Sequence, residues 1–397
     1  MKVLQINSVC GIRSTGRICA DIAEVLEKEG HDCKIAYGRE TVPEKYKKYA
    51  VRIGSDLSNK LDAVKTRILD NAGFNSRRET EKFLSWVKEY NPDIIHLHNI
   101  HGYYINIELL FKFLKEFNKP VVWTLHDCWS FTGHCAHYDF AGCEKWKTLC
   151  YDCKLKKDYP SGYVFDRSKK NYQKKSEVFN SLDKLYFVAV SNWIANQQKQ
   201  SFLKENPVTV IHNGIDLKQF KPTKSNFREK YKITEKRIYL GVATFWNDRK
   251  GFGTFLELSE MINDNEVIVM VGVTKEQMKL LPQNIIGIER TNNIGELAEI
   301  YTACDVFINP TLEDTFPTVN MEAIACGTPV VTYNTGGSPE SVSEISGKVV
   351  PKGDISALLD AARSLMLDSE KIVSVAQNFN KEEKYIEYLR LYERYLK

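Results

Sequence analysis

No apolar run in this sequence approaches the roughly 18 residues that a bilayer-spanning helix needs. The opening residues, Met1-Lys2-Val3-Leu4-Gln5-Ile6, lack the long apolar core of a signal peptide and read as a strand. Excess charge of one sign is missing too. Lys and Arg number 55 against 51 Asp and Glu, a net charge of +4, too small for nucleic-acid binding without a local patch. There is no repeat at a fixed period and no low-complexity tract. Two nucleotide-binding signatures are also absent from the first turn, Asn7 to Arg17. Arg17-Ile18 follows Gly16 where a Walker A loop requires Lys-Ser/Thr, and the turn does not spell G-x-G-x-x-G.

What is present is globular material. Hydrophobic residues make up 43% and charged residues 27%, which excludes a disordered or fibrous chain. At 397 residues the chain has room for two or three domains. These features predict a cytoplasmic protein, whose ten cysteines are then thiols or metal ligands rather than disulfides.

Short β-branched runs alternate with helical patterns. Val3–Ile6, Cys33–Tyr37, Ile94–His98, Val121–Leu125, Phe187–Val190 and Val208–Ile211 form a first set of strands. Ile18, Ile22, Val25 and Leu26 mark a helix that Gly30 stops. A polar stretch near 217–230 reads as a linker. The rhythm then restarts with Ile238–Val242, Val267–Val271, Ile285–Ile288, Val306–Ile308 and Pro329–Thr332. Such runs predict parallel strands buried on both faces, hence an α/β chain of two Rossmann-like, doubly wound domains. The expected boundaries are 1–216, with a cysteine-rich insertion over 128–175, and 217–381. A helix over 382–397 follows, with Ile386, Leu389 and Leu396 packing back on the N-terminal domain.

The turn from Gly11 to Gly16 joins a strand to a helix, where free N–H groups and the positive helix end suit a phosphate; the alternative is a turn that merely needs small residues. Glu313 to Val331 is the densest motif: an acidic loop with Asp314, a helix from about Pro317 that carries Glu322, a stop at Gly327 and a strand. Asn334 to Glu340 is another glycine turn after a strand.

Together these resemble the family 4 glycosyltransferases, which have the GT-B fold. The acid-x7-acid stretch ends in Glu322-Ala-Ile-Ala-Cys-Gly-Thr-Pro-Val-Val331, and Gly336-Gly337-Ser338-Pro339-Glu340 resembles the family's glycine turn. His212-Asn213-Gly214-Ile215-Asp216 resembles the element that closes its N-terminal domain, Arg249-Lys250-Gly251 its donor-phosphate Lys-Gly, and Thr124-Leu125-His126-Asp127 its N-domain His-Asp. The elements keep the family's order. Two positions depart from it. Asp314 stands where the family usually has Glu, and Phe245 where it has Arg, so that Arg249 is the available substitute.

The resemblance implies two domains facing each other across a cleft that holds the active site. A sugar would pass, with retention of configuration, from a nucleoside diphosphate sugar (UDP- or GDP-linked) to a glycan or a polyprenyl-diphosphate-linked glycan, as in bacterial surface polysaccharide assembly. Lys250 and Arg249 would neutralise the diphosphate. Glu322 would hold the ribose, Asp314 and backbone N–H groups near Phe316 the sugar, with Gly336 and Gly337 lining the donor. His126 would reach the sugar from the other domain, which also carries Gly11 and Gly16. No side-chain nucleophile is required, and the absence of Asp-x-Asp argues against a metal-dependent transferase of the other common fold. Alternatives are a sugar-nucleotide epimerase on the same fold and a non-catalytic nucleotide-sugar-binding subunit.

Three further features stand outside that pattern. His96, His98 and His101 lie at a strand end, where lining a cleft or bonding locally is weighed against a metal site. Cys135, Cys143, Cys150 and Cys153 have the C-x7-C-x6-C-x2-C spacing of a candidate structural zinc site, against the alternative of scattered thiols. Between Lys154 and Lys175, basic residues interleave with Tyr159, Tyr163, Phe165 and Tyr172. That pattern suits peripheral contact with the inner face of the membrane or an anionic pyrophosphate lipid, against the more common explanation of a solvated helix face.

Overall fold

The computed structural model describes residues 1–397. The chain divides into two compact units, Met1–His212 with Glu382–Lys397, and Asn213–Lys381. In the first unit seven strands form a parallel sheet: β1 (Lys2–Asn7), β2 (Asp32–Tyr37), β3 (Ala50–Arg52), β4 (Ile94–Leu97), β5 (Val121–Leu125), β6 (Leu185–Ala189) and β7 (Val208–Val210). Their order is β3-β2-β1-β4-β5-β6-β7. In the second unit the strands are β8 (Arg237–Val242), β9 (Glu266–Val271), β10 (Ile285–Ile288), β11 (Val306–Asn309), β12 (Val330–Tyr333) and β13 (Gly347–Val350). They are also all parallel, in the order β10-β9-β8-β11-β12-β13.

Helices cover these sheets because parallel strands need crossover connections. Central strands such as β4 and β9 bury every residue, which explains their unbroken apolar runs. Sequence periodicity does not reveal β3 and β13. Both are edge strands, partly exposed or interrupted by Gly347 and Lys348, so neither shows the fully apolar pattern. In each sheet the winding reverses once, between β1 and β4 and between β8 and β11. Loops leaving the carboxyl ends of those pairs diverge and open a crevice, the usual place for a ligand in such sheets.

The stretch expected as a linker is packed instead. Phe220 and Phe227 are buried, and Asp216 pairs with Lys381 at 3.0 Å within the second unit. The C-terminal helix (Lys381–Leu396) returns to the first unit's core through the expected Leu389, with Ile386 packed against it, and through four residues that the sequence reading did not name. Tyr385, Tyr388, Leu389, Leu391 and Tyr392 are buried, while Leu396 is exposed. Aromatic rings carry this packing, and their hydroxyls find buried partners. Tyr392 Oη lies 2.6 Å from His96 Nδ1, and Tyr388 Oη 3.2 Å from Thr124 Oγ1.

One buried carboxylate ties the second unit together. Glu266 accepts from Arg363 Nη2 at 2.6 Å and Nε at 2.9 Å, from Tyr239 Oη at 2.5 Å and from the Asn263 N–H at 2.8 Å. The Arg363 bonds, joined by those from Tyr239 and Asn263, outweigh burial and hold its carboxyl down to about 2. A depressed folded-state value stabilises above the unfolded value of 4.5, and the contribution is lost as pH falls from there towards about 2. Urea-unfolding midpoints across that window should therefore fall more steeply for the parent than for Glu266→Gln. Parallel pH profiles would show that the ion pair does not supply this stability.

Candidate functional site

Three loops converge in the second unit, those after β8, β11 and β12. Loop one follows β8, where Asn247 accepts from the Lys250 N–H at 3.0 Å and caps a single turn over Asp248–Lys250. Gly251 then takes a φ of +81° against Pro310, a packing that a Cβ would block at 2.5 Å from the Pro310 oxygen. Lys250 Nζ reaches Asp314 Oδ2 at 2.5 Å, so an ion pair joins the loop after β8 to the loop after β11. Both side chains remain partly open, at 24% and 17% exposure. Arg249 donates from Nη1 to the Glu313 oxygen at 2.7 Å, bracing the same loop one residue before Asp314.

Asp314 is the hub. Its Oδ1 accepts from the Phe316 N–H at 3.3 Å, and its backbone oxygen accepts from the Gly337 N–H at 2.9 Å. Gly336 has a φ of +56°, and a Cβ there would sit 1.9 Å from the Asp314 oxygen, so only glycine lets the two loops meet. Lys250, Arg249, Asp314, Phe316, Gly336 and Gly337 are thus brought together by the loops after β8, β11 and β12. Glu322 lies in the adjoining helix, Thr318–Ala325, nearly buried, and accepts from Tyr301 Oη at 3.2 Å. Phe245 is half exposed on the loop after β8.

Asn320, two residues before Glu322 in the same helix, carries a role that motif spacing does not signal. Its Oδ1 accepts from Asn309 Nδ2 at 2.8 Å, and its Nδ2 donates to Ser341 Oγ at 3.0 Å and Ser338 Oγ at 3.3 Å. Ser338 Oγ also lies 2.7 Å from Thr332 Oγ1. This buried network locks the helix carrying Glu322 to β11, β12 and the glycine turn. A pairing of Asn with small hydroxyls around the acidic motif is the signal that could have found it.

In the first unit the switch point gathers histidines. His126 follows β5 and lies with Nε2 2.9 Å from His98 Nδ1, and His98 Nε2 lies 3.0 Å from Gln5 Oε1. His96 Nε2 lies 2.7 Å from Thr124 Oγ1. Burial pushes His96 and His98 well down, and brings His126 down to about 4, so these rings are neutral hydrogen-bonding groups at physiological pH. Burial would raise Asp127, but His101, with Nε2 2.8 Å from its Oδ2, helps hold it down to about 2. Local bonding thus accounts for all three strand-end histidines. The Gly11 N–H is engaged within its own turn, bonding the Gly16 oxygen at 2.9 Å, rather than facing outward for a phosphate.

The zinc expectation is not matched by the side-chain geometry. Cys135, Cys143, Cys150 and Cys153 line one pocket of about 170 Å³. Yet no three His, Cys, Asp or Glu groups of the protein are placed to hold one metal ion. Cys150 Sγ accepts from the Gly133 N–H at 3.2 Å, while Cys135 and Cys153 bond each other. That bond raises Cys135 and, with nearby His134, brings Cys153 down to about 7 against the effect of burial.

The basic stretch divides in the same region. Lys154, Lys157, Lys169 and Lys170 are exposed, whereas Tyr172 and Lys175 are buried. Lys175 Nζ donates to the Trp129 oxygen at 2.8 Å and the Thr132 oxygen at 3.1 Å, over the Trp129 ring. Burial brings it down to about 7, so this lysine is a core brace and not part of a charged surface.

With this geometry in view, comparison with known proteins is specific. The family model described as Glycosyltransferase Family 4 matches residues 15–219, and the model Glycosyl transferases group 1 matches 236–368. The chain is 22% identical over 377 residues to a putative colanic acid biosynthesis glycosyl transferase, WcaC, of Escherichia coli, covering 91% of this chain and 90% of that protein. It is 30% identical over 278 residues to the N,N'-diacetylbacillosaminyl-diphospho-undecaprenol alpha-1,3-N-acetylgalactosaminyltransferase of Campylobacter jejuni, covering 64% of this chain and 73% of that one. The solved structure of Anabaena HepE in complex with UDP superposes with a TM-score of 0.66 at 14% identity, over 98% of this chain and 99% of that one. Its likeness identifies the fold.

Proposed function

From the premise that the chain belongs to glycosyltransferase family 4 and is a glycosyltransferase of GT-B fold, we propose that it retains anomeric configuration while moving a sugar from a nucleoside diphosphate sugar to a lipid-linked glycan in surface polysaccharide synthesis. The observation that carries this reading is the Lys250–Asp314 pair at the β8/β11 switch point, braced by Gly336-Gly337. A partly open ammonium beside backbone N–H groups suits a diphosphate, whose charge must be stabilised as it leaves. Arg249 shapes the loop that presents Lys250. Glu322 suits the ribose hydroxyls, Asp314 and the Phe316 N–H the sugar, and neutral His126 a sugar hydroxyl.

Support for the donor class comes from HepE, whose structure holds UDP, and for the acceptor class from the Campylobacter relative, whose name specifies a diphospho-undecaprenol substrate. Nothing in these relatives favours the epimerase alternative. The test is incubation of the purified chain with UDP- and GDP-sugars, first in a thermal-shift assay and then with a polyprenyl-diphosphate-linked sugar. Binding only the folded state raises Tm, by RT ln(1 + [L]/Kd) in free energy. A Tm rise with one donor class and a lengthened lipid product are expected. Binding without turnover would indicate the non-catalytic subunit, and an isomerised nucleotide sugar the epimerase.

A further inference from the structure

Of the first unit's helices α1 (Arg13–Lys28) and α2 (Asp56–Leu69), the second is built inside out. Its buried residues are Asn59, Asp62 and Thr66, and its C-cap, Asp70, is buried as well. Leu57, Leu61, Val64 and Ile68 face solvent and are 45–69% exposed. At about 100° per residue their spacing of four, three and four places all four within a stripe about 60° wide. Apolar side chains at that spacing normally mark the face a helix turns to its core. Here polar contacts anchor the helix: Asp62 accepts from Ser76 Oγ at 2.5 Å and from Asn75 Nδ2 and Thr66 Oγ1 at 3.1 Å. The four apolar side chains contribute little to holding α2 in place.

The patch continues onto a neighbouring segment. Tyr163 N–H bonds the Arg67 oxygen at 2.7 Å and Phe165 N–H the Ile68 oxygen at 3.2 Å, placing Tyr163, Val164 and Phe165, each more than half exposed, beside the last turn of α2. Cations border the stripe. Lys60 and Arg67 lie on one side of it and Lys65 on the other, all exposed and none in an ion pair. The one exposed acid of α2, Asp56, is taken by Arg52 at 2.5 Å.

An apolar stripe between unpaired cations matches a helix lying in the headgroup plane of an anionic bilayer. We propose that α2 and the Tyr163–Phe165 segment form a docking surface for an anionic lipid bilayer. No helix of the protein is long and apolar enough to cross a membrane; the proposed contact is one of a helix lying on the surface. The assignment is independent of the sugar-transfer reading, although a lipid-linked acceptor would be met at the same surface.

The test is co-sedimentation of the full chain with phosphatidylglycerol–phosphatidylcholine vesicles and with pure phosphatidylcholine vesicles. Binding to the anionic vesicles is expected, weakening as salt shortens the screening length from about 10 Å at 0.1 M to about 3 Å at 1 M. Leu61→Gln with Val64→Gln should lower the partition coefficient about tenfold or more, and Phe165→Ser should also lower it. Both variants should keep the parent's Tm and its Tm rise with nucleotide, which separates loss of docking from loss of fold or of the donor site. No sedimentation with anionic vesicles, or equal sedimentation of parent and variants, overturns the proposal. So does reversible self-association of the parent, without vesicles, that Leu61→Gln with Val64→Gln abolishes, since the stripe would then join two copies.

Discussion

Lys250→Ala should weaken binding of the nucleoside diphosphate by one to two decades and turnover by at least as much. A charged hydrogen bond to phosphate contributes about 1.5–3 kcal/mol, which is that span in affinity. The local geometry adds a second cost. Lys250 pairs with Asp314 at 2.5 Å, and removing it takes away the positive charge that offsets this carboxylate, whose negative charge then opposes the incoming phosphates. Asp314→Asn in the Lys250→Ala background should therefore recover part of the nucleotide affinity while leaving turnover low. Glu322→Ala should weaken nucleotide binding too. His126→Ala provides the contrast: turnover falls while nucleotide affinity changes little, because the proposed contact is with the sugar. Since His126 is held down to about 4, the rate of the parent should show no step from this ring above about pH 5. Calorimetry with the free diphosphate separates these cases, and an unchanged affinity in Lys250→Ala would place the donor elsewhere.

Deleting residues 382–397 should abolish cooperative folding of the first unit. The C-terminal helix contributes five buried side chains to that core, Tyr385, Tyr388, Leu389, Leu391 and Tyr392. At about 1.5–3 kcal/mol each, their burial rivals the 5–15 kcal/mol by which a whole domain is typically stable. The second unit, which ends at Lys381, should keep its own transition, so calorimetry is expected to show one melting event lost and one retained. Tyr392→Phe is the mild version. It leaves His96 Nδ1 buried without its partner and should cost about 1–3 kcal/mol. A truncated chain that still melts with both transitions would show that the helix is dispensable.

The parts of this structure legible from sequence are those where one physical demand acts alone. β4, β5 and β9 are buried on both faces, so their composition declares them. Asp314, Gly336 and Gly337 meet where the loops after β11 and β12 pack together, and motif spacing singles out both loops. Where two demands compete, the pattern misleads. Lys175 lies among surface-like lysines yet has two carbonyls and the face of Trp129 as partners, so it goes inward. In α2 the helical period of Leu57, Leu61, Val64 and Ile68 is plain, but periodicity gives a face and not its direction. That direction depends on Asn75, Ser76 and other groups remote in sequence, which offer the polar side better bonds.

The first unit is assembled from segments on both sides of the second, which lies between His212 and Glu382 in sequence. Its C-terminal helix therefore leaves the ribosome only after the whole of the second unit. Until then the first seven strands lack the tyrosines that cover them, and His96 lacks its buried hydroxyl partner. The second unit, although begun later, has all its residues available sooner. During synthesis the usual N-to-C order of domain completion is thus reversed, and the nascent first unit spends that interval with apolar surface for chaperones to shield.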